Sequence, residues 1–179
     1  ASDVYKRQDE SHGFSVHVDL LAGQLNETID LLIICNPNNP TSTAISRSDM
    51  RRILDICKEN GIYVLVDETY VEFAENLQDI TAIPLSQYYN NIIVLRGVSK
   101  FFAAPGLRLG YAVCGNRDLV KEVVGHQDPW AINTLAAIAG EIMFTDKEYI
   151  DQTRRLISSE RARICKNCLL YTSDAADEE

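Results

Sequence analysis

Three short apolar runs, DLLIICN at 30–36, IYVLVDE at 62–68 and NIIVLRG at 91–97, each end on polar or turn-forming residues. Runs of this length without polar alternation read as β-strands buried on both faces. Between the first two lies SRSDMRRILDICKENG. Its Ser46-x-x-Asp49 capping box, its apolar Met50, Ile53, Leu54 and Cys57, and its Gly61 stop predict an amphipathic helix. Strand, helix and strand in this order imply an α/β fold, a mostly parallel open sheet with flanking helices. LGYAVCG at 109–115 reads as a fourth strand reached without a long intervening helix, so it is expected to run antiparallel to its neighbour. Segments 117–124, 133–144 and 146–166 read as helices, the last long, charged and amphipathic.

The two ends differ in character from everything between them. Asp3 to Gln8 can be encoded by GATGTGTATAAGAGACAG, and the reverse complement of that string, read one base in, encodes Cys168 to Ser173. Translations of opposite strands of one DNA element resemble read-through of a transposon-type sequencing adaptor. Residues 1–8 and 168–179 are therefore expected to be non-native tails, and 9–167 the natural part, internal to a longer protein.

The net charge is −9; the C-terminal tail carries Asp174, Asp177, Glu178 and Glu179, and the N-terminal tail one net positive charge, which leaves −6 between them. An acidic chain without a basic stripe argues against nucleic acid or an anionic membrane as partner. No apolar run reaches membrane-spanning length. Cys35, Cys57 and Cys114 lie in apolar contexts and read as small core residues of a reduced, cytoplasmic protein. Cys165 and Cys168 form a Cys-x-x-Cys only across the tail junction, which removes its weight as a metal motif. His12, His17 and His126 lack metal-ligand spacing, so surface or structural roles are expected.

In open α/β sheets ligands gather at the carboxyl ends of strands. NPNNPTS follows the first strand, DETY the second and SK the third. Any one of these has a plain structural reading, as a turn or a helix cap. Convergence of all three on one edge points to a site. Lys100 adds to this, because its neighbours Phe101 to Pro105 are apolar and predict a partly desolvated amine suited to act as a nucleophile.

Asn39-Pro40-Thr41, Asp67-Glu68-x-Tyr70, Ser99-Lys100 and Gly106-Leu107-Arg108-x-Gly110, in this order, resemble the fold type I pyridoxal-phosphate enzymes of aminotransferase class I/II. The likeness is greatest to histidinol-phosphate aminotransferases and threonine-phosphate decarboxylases, and it covers 9–167. It implies a fragment of the large domain of such an enzyme, with pyridoxal 5'-phosphate as cofactor. By the same resemblance Lys100 would form a Schiff base with the cofactor aldehyde and Asp67 would pair with the pyridine nitrogen. Asn39 and Tyr70 would hold the ring's phenolic oxygen, and Ser99 and Arg108 the phosphate. It further implies a homodimer, amino acid or phosphorylated amine substrates, and amino-group transfer as the reaction, with decarboxylation of a phosphothreonine type as the alternative. The family's phosphate loop and stacking aromatic would precede this stretch, and its small domain would follow it. Ser42 stands where the family usually has glycine, and Gly97 where many members have Ser or Thr.

A non-catalytic small-molecule-binding α/β domain is the remaining alternative, and the need for the Lys100 amine separates it from the enzyme. Glu68 reads as a structural hydrogen-bonding group, Asn133 as a helix cap, Trp130 as core by default or else as lining a substrate entrance, and Phe101 with Phe102 as packing around the lysine loop.

Overall fold

The computed structural model describes residues 13–174; the N-terminal tail, His12 and residues 175–179 lie outside them. The chain divides into two units at Gly140–Glu141.

The first unit holds a four-stranded sheet in the order β1 (Leu31–Cys35), β2 (Tyr63–Asp67), β3 (Ile92–Gly97) and β4 (Gly110–Val113). The first three are parallel, with Leu31 against Tyr63 and Val64 against Ile92, and β4 runs antiparallel to β3. The α/β reading with an antiparallel fourth strand therefore holds. Helices α1 (Val18–Ala22), α2 (Arg47–Glu59), α3 (Leu77–Ile80) and α4 (Arg117–Gly125) belong to this unit, and α5 (Thr134–Thr145) crosses the division.

Helix α2 begins where the sequence places it. The Ser46 hydroxyl accepts from the Asp49 amide at 3.1 Å and donates to its carboxylate at 2.9 Å. The following apolar spacing turns Met50, Ile53, Leu54 and Cys57 inward. They join Val64, Val66, Ile92 and Val94 in one core. Each such side chain contributes about 2 kcal/mol when fully buried. Gly61, at φ +73°, takes the left-handed turn into β2.

Burial of the strands on both faces is corrected by the structure. Ile34, Val64, Val66, Ile92 and Val94 are covered, whereas Leu31, Ile33 and Tyr63 are exposed, Ile33 at 62%. A continuous apolar run answers to a layer on each face, and no described element lies over Leu31 and Ile33. Cys57 is buried as expected, but Cys35 is exposed and Cys114 only half-buried. Trp130, whose default reading is core, is 94% exposed in the turn between α4 and α5. Among the described residues five short elements had no sequence expectation: α1, α3 and the 3-10 turns Val71–Phe73, Ile83–Gln87 and Pro105–Leu107.

Gly115 makes the tightest approach in this unit. A Cβ there would stand 1.9 Å from the Ser86 carbonyl oxygen in the Ile83–Gln87 turn. Neither backbone can yield without moving β4 or the turn. Gly115→Ala is expected to cost about 3 kcal/mol, the upper range for overpacking. Urea unfolding of the substituted chain measures this; a loss below about 0.5 kcal/mol would mean that the turn retreats freely.

In the second unit α6 (Lys147–Asp174) runs past the expected end at 166. Asp146 caps it, its carboxylate accepting from the Tyr149 amide at 2.9 Å. Arg163 pairs with Glu160 one turn earlier. Among the described residues no helix is long and apolar enough to cross a membrane, and no group of His, Cys, Asp and Glu is placed to hold a metal.

Candidate functional site

The carboxyl ends of β1, β2 and β3 face the same way because the three strands are parallel. The loops that follow them carry Asn39, then Asp67 and Tyr70, then Ser99 and Lys100. In-register pairing places Cys35, Asp67 and Leu95 side by side on one face of the sheet.

The loop after β1 is fixed from beneath by Asn36, which is fully buried. Its side-chain amide donates to the carbonyls of Ile45 and Ile80 at 3.2 and 3.1 Å, and its carbonyl oxygen accepts from the Ile45 amide at 2.8 Å. Asn38 closes the turn above: its amide donates to Thr43 O, its side chain to the Thr41 hydroxyl, and its carbonyl accepts from Ser42 N. Ser42 lies at φ +58°, a conformation that favours glycine. Asn39, exposed at the tip, donates from Nδ2 to the Tyr70 hydroxyl at 2.9 Å.

Asp67 ends β2, half-buried. Its Oδ1 accepts from the backbone amide and hydroxyl of Thr69, which fixes the carboxylate. Its Oδ2 makes no hydrogen bond among the described residues. Burial, and then the charge of Asp67, hold the Cys35 thiol above its ordinary value. That thiol stays protonated and is no nucleophile at neutral pH.

The Lys100 ammonium stands over the Tyr70 ring, 5.9 Å from its centroid. Lys100 is exposed, which corrects the expectation of a desolvated amine. The apolar neighbours turn inward without it: Phe101 is 2% exposed and packs edge-on against Phe73 at 5.4 Å and Phe102 at 5.2 Å. Packing around the lysine loop is thus the observed role of that aromatic pair. Ser99 is half-buried, with its hydroxyl unpaired among the described residues.

Arg108 follows the short 3-10 turn Pro105–Leu107 at φ +53° and donates from Nη1 to Pro105 O at 3.1 Å. Asn133 caps α5 by accepting from the Ala136 amide at 2.8 Å, as expected, and reaches the Leu107 carbonyl at 3.4 Å. The start of α5 is thereby joined to the arginine loop. The structure brings Asn39 into a hydrogen bond with Tyr70 and sets Lys100 over the Tyr70 ring, with Asp67 three residues before Tyr70. No hydrogen bond or ion pair joins Ser99 or Arg108 to Asp67, Tyr70 or Lys100 among the described residues.

Beneath this surface lies a network that sequence reasoning missed, apart from the structural role expected for Glu68. Glu68 is buried; its Oε2 accepts from the Arg96 guanidinium at 2.8 Å and from the Thr81 hydroxyl at 2.9 Å, and its Oε1 from the Ala82 amide. Arg96 also donates to Glu72 at 2.9 Å. One signal was present in NIIVLRG: an arginine inside an apolar strand requires a carboxylate partner.

An amine, a fixed carboxylate with one free oxygen, a phenol–amide pair and a guanidinium suit an electron-poor, phosphorylated ring aldehyde. Comparison with known proteins agrees. Over 154 residues the chain is 34% identical to the threonine-phosphate decarboxylase of Salmonella typhimurium, covering 86% of this chain and 42% of that protein. It is 34% identical over 155 residues to the histidinol-phosphate aminotransferase of Methanopyrus kandleri, covering 87% of this chain and 38% of that protein. The chain therefore spans less than half the length of these relatives. The crystal structure of the histidinol-phosphate aminotransferase from Clostridium acetobutylicum superposes with a TM-score of 0.82 at 27% identity, covering 89% of this chain and 46% of that one. The pattern described as aminotransferase class I and II matches residues 3–172, and the chain belongs to that family.

Proposed function

We propose that residues 9–167 are the cofactor-binding core of a longer, homodimeric, cytoplasmic enzyme that transfers the amino group of an amino acid or phosphorylated amine. Membership of the family implies pyridoxal 5'-phosphate as cofactor. The observation that carries the reading is the Asn39–Tyr70 hydrogen bond with Lys100 over the Tyr70 ring, at the ends of parallel strands of which β2 ends on the Asp67 carboxylate with its one unused oxygen.

When bound, the cofactor supplies an electron sink for the pair released as a bond at the substrate α-carbon breaks. The chain's own residues make that possible. Asp67 Oδ2 would keep the ring nitrogen protonated, with Oδ1 held by Thr69. The Tyr70 hydroxyl, oriented by Asn39, would hold the ring's phenolic oxygen. Arg108 and Ser99 would hold the phosphate, and the Lys100 amine would be the point of attachment.

Decarboxylation is the second reading, favoured by the 34% identity to a threonine-phosphate decarboxylase. The same residues serve both reactions; the orientation of the substrate selects the bond that breaks. Product analysis of the intact protein with an amino acid phosphate, with and without 2-oxoglutarate, separates them. Glutamate formation dependent on the keto acid is expected. Release of CO2 without need of a keto acid overturns amino-group transfer.

A further inference from the structure

The geometry points to Arg96 as the positioning residue that sets Tyr70 against Lys100, through the carboxylates of Glu68 and Glu72 that it holds on either side of Tyr70. This rests on the functional reading above.

Arg96 lies in β3 with its side chain 12% exposed. Nε and Nη2 donate to Glu68 Oε2 at 3.0 and 2.8 Å, Nη2 also to the Thr81 hydroxyl at 2.8 Å, and Nη1 to Glu72 Oε1 at 2.9 Å. Glu68 follows Asp67 directly, and Glu72 lies within the 3-10 turn Val71–Phe73. One rigid guanidinium therefore clamps both ends of the 68–72 stretch on which Tyr70 stands. That stretch is closed within itself by Val71 N to Glu68 O at 3.0 Å and Phe73 N to Tyr70 O at 3.1 Å.

The same arginine begins the segment that presents the lysine. From Arg96 the chain passes the fully buried Val98 and reaches Lys100, after which Phe101 locks onto Phe73. The tyrosine and the lysine are thus both referred to one anchor on the opposite face of the sheet from Asp67. The separation of 5.9 Å between Nζ and the Tyr70 ring follows from that common anchor.

Stability alone does not call for this arrangement. Burial by itself would pull the guanidinium down from its ordinary value; the hydrogen bond and charge of Glu68, with Tyr111 and Glu72, more than offset it. Apolar side chains of similar volume commonly serve as well as a buried ion pair for holding a fold. What they cannot supply is a forked, directional link to two carboxylates.

The test uses the intact protein in four forms besides wild type: Arg96→Lys, Arg96→Met, Glu72→Gln and the pair Glu68→Met with Arg96→Met. Three quantities are read: the melting temperature, the rate at which pyridoxal 5'-phosphate added to cofactor-free protein becomes borohydride-fixable on Lys100, and kcat apart from KM. Arg96→Lys, which keeps the charge and loses the fork, is expected to slow fixation and lower kcat about tenfold with KM within about threefold. Arg96→Met alone should slow both at least as much. The apolar pair should recover the melting temperature but not the fixation rate, which a purely structural role would restore. Glu72→Gln should slow fixation about threefold. Folded Arg96 variants that fix cofactor and turn over at the wild-type rate overturn the inference. If the Arg96 variants do not fold, Glu72→Gln decides, since its carboxylate is partly exposed, and an unchanged fixation rate there overturns it too. Wild-type protein that turns over without fixing cofactor on Lys100 overturns instead the functional reading, and this inference with it.

Discussion

Replacement of Lys100 by alanine in the intact protein is expected to abolish borohydride-fixable attachment of pyridoxal 5'-phosphate and to lower turnover at least about a thousandfold. Non-covalent binding should persist through Arg108 and Ser99. Lys100 is the amine that the structure places over Tyr70, and Tyr70 is in turn held by Asn39 at 2.9 Å. Removing it leaves the phenol–amide pair and the Asp67 carboxylate in place, because Lys100 is exposed and makes no hydrogen bond that either depends on. The fold should be unaffected for the same reason: Val98 and Phe101, not Lys100, anchor the loop in the core. Mass spectrometry of the reduced, digested protein identifies the attachment peptide, and equilibrium dialysis measures the residual binding. A Lys100→Ala protein with full turnover would sink the enzyme reading and leave a domain that binds a small molecule without covalent chemistry.

Asp67→Asn is expected to act differently, preserving attachment at Lys100 while slowing cleavage at the substrate α-carbon about 100- to 1000-fold. The amide keeps the shape of the carboxylate, and its oxygen can still accept from Thr69 as Oδ1 does now. What it lacks is the charge that Oδ2 would offer to a protonated ring nitrogen. Without that charge the ring would be expected to lose its proton and with it much of its capacity to accept electrons. Single-turnover kinetics with amino acid substrate would separate the slow bond cleavage from cofactor loading. Equal slowing of both steps, or of neither, would contradict the assignment of Asp67 to the ring nitrogen. The free Cys35 thiol on the same face does not substitute for the carboxylate, since burial and the charge of Asp67 hold it protonated.

Much of the architecture was legible because it is encoded over a few neighbouring residues. Ser46 and Asp49 cap α2 within one turn, and the spacing of Met50, Ile53, Leu54 and Cys57 orients it. The absence of a long helix between the last two strands announced that β4 runs antiparallel. The order of Asn39, Asp67, Tyr70, Ser99 and Lys100 along the chain placed them at or just after the carboxyl ends of β1, β2 and β3. Periodicity, capping and strand ends depend on contacts no more than about four residues apart, so a linear reading reaches them.

Tertiary structure alone decided which apolar surfaces are covered and which charges meet. Ile33 belongs to an unbroken apolar run yet is 62% exposed, because burial depends on the layer opposite and not on the strand. Lys100 differs from expectation, and Trp130 from its default core reading, on the same ground: the composition of their neighbours does not say which way a turn directs each side chain. Glu68 and Arg96 are 28 residues apart, and Asn36 finds its carbonyl partner on Ile80 across 44. Hydrogen-bond direction and ion-pair choice at such separations follow from how strands and turns pack in space, and no local pattern of residues carries that information.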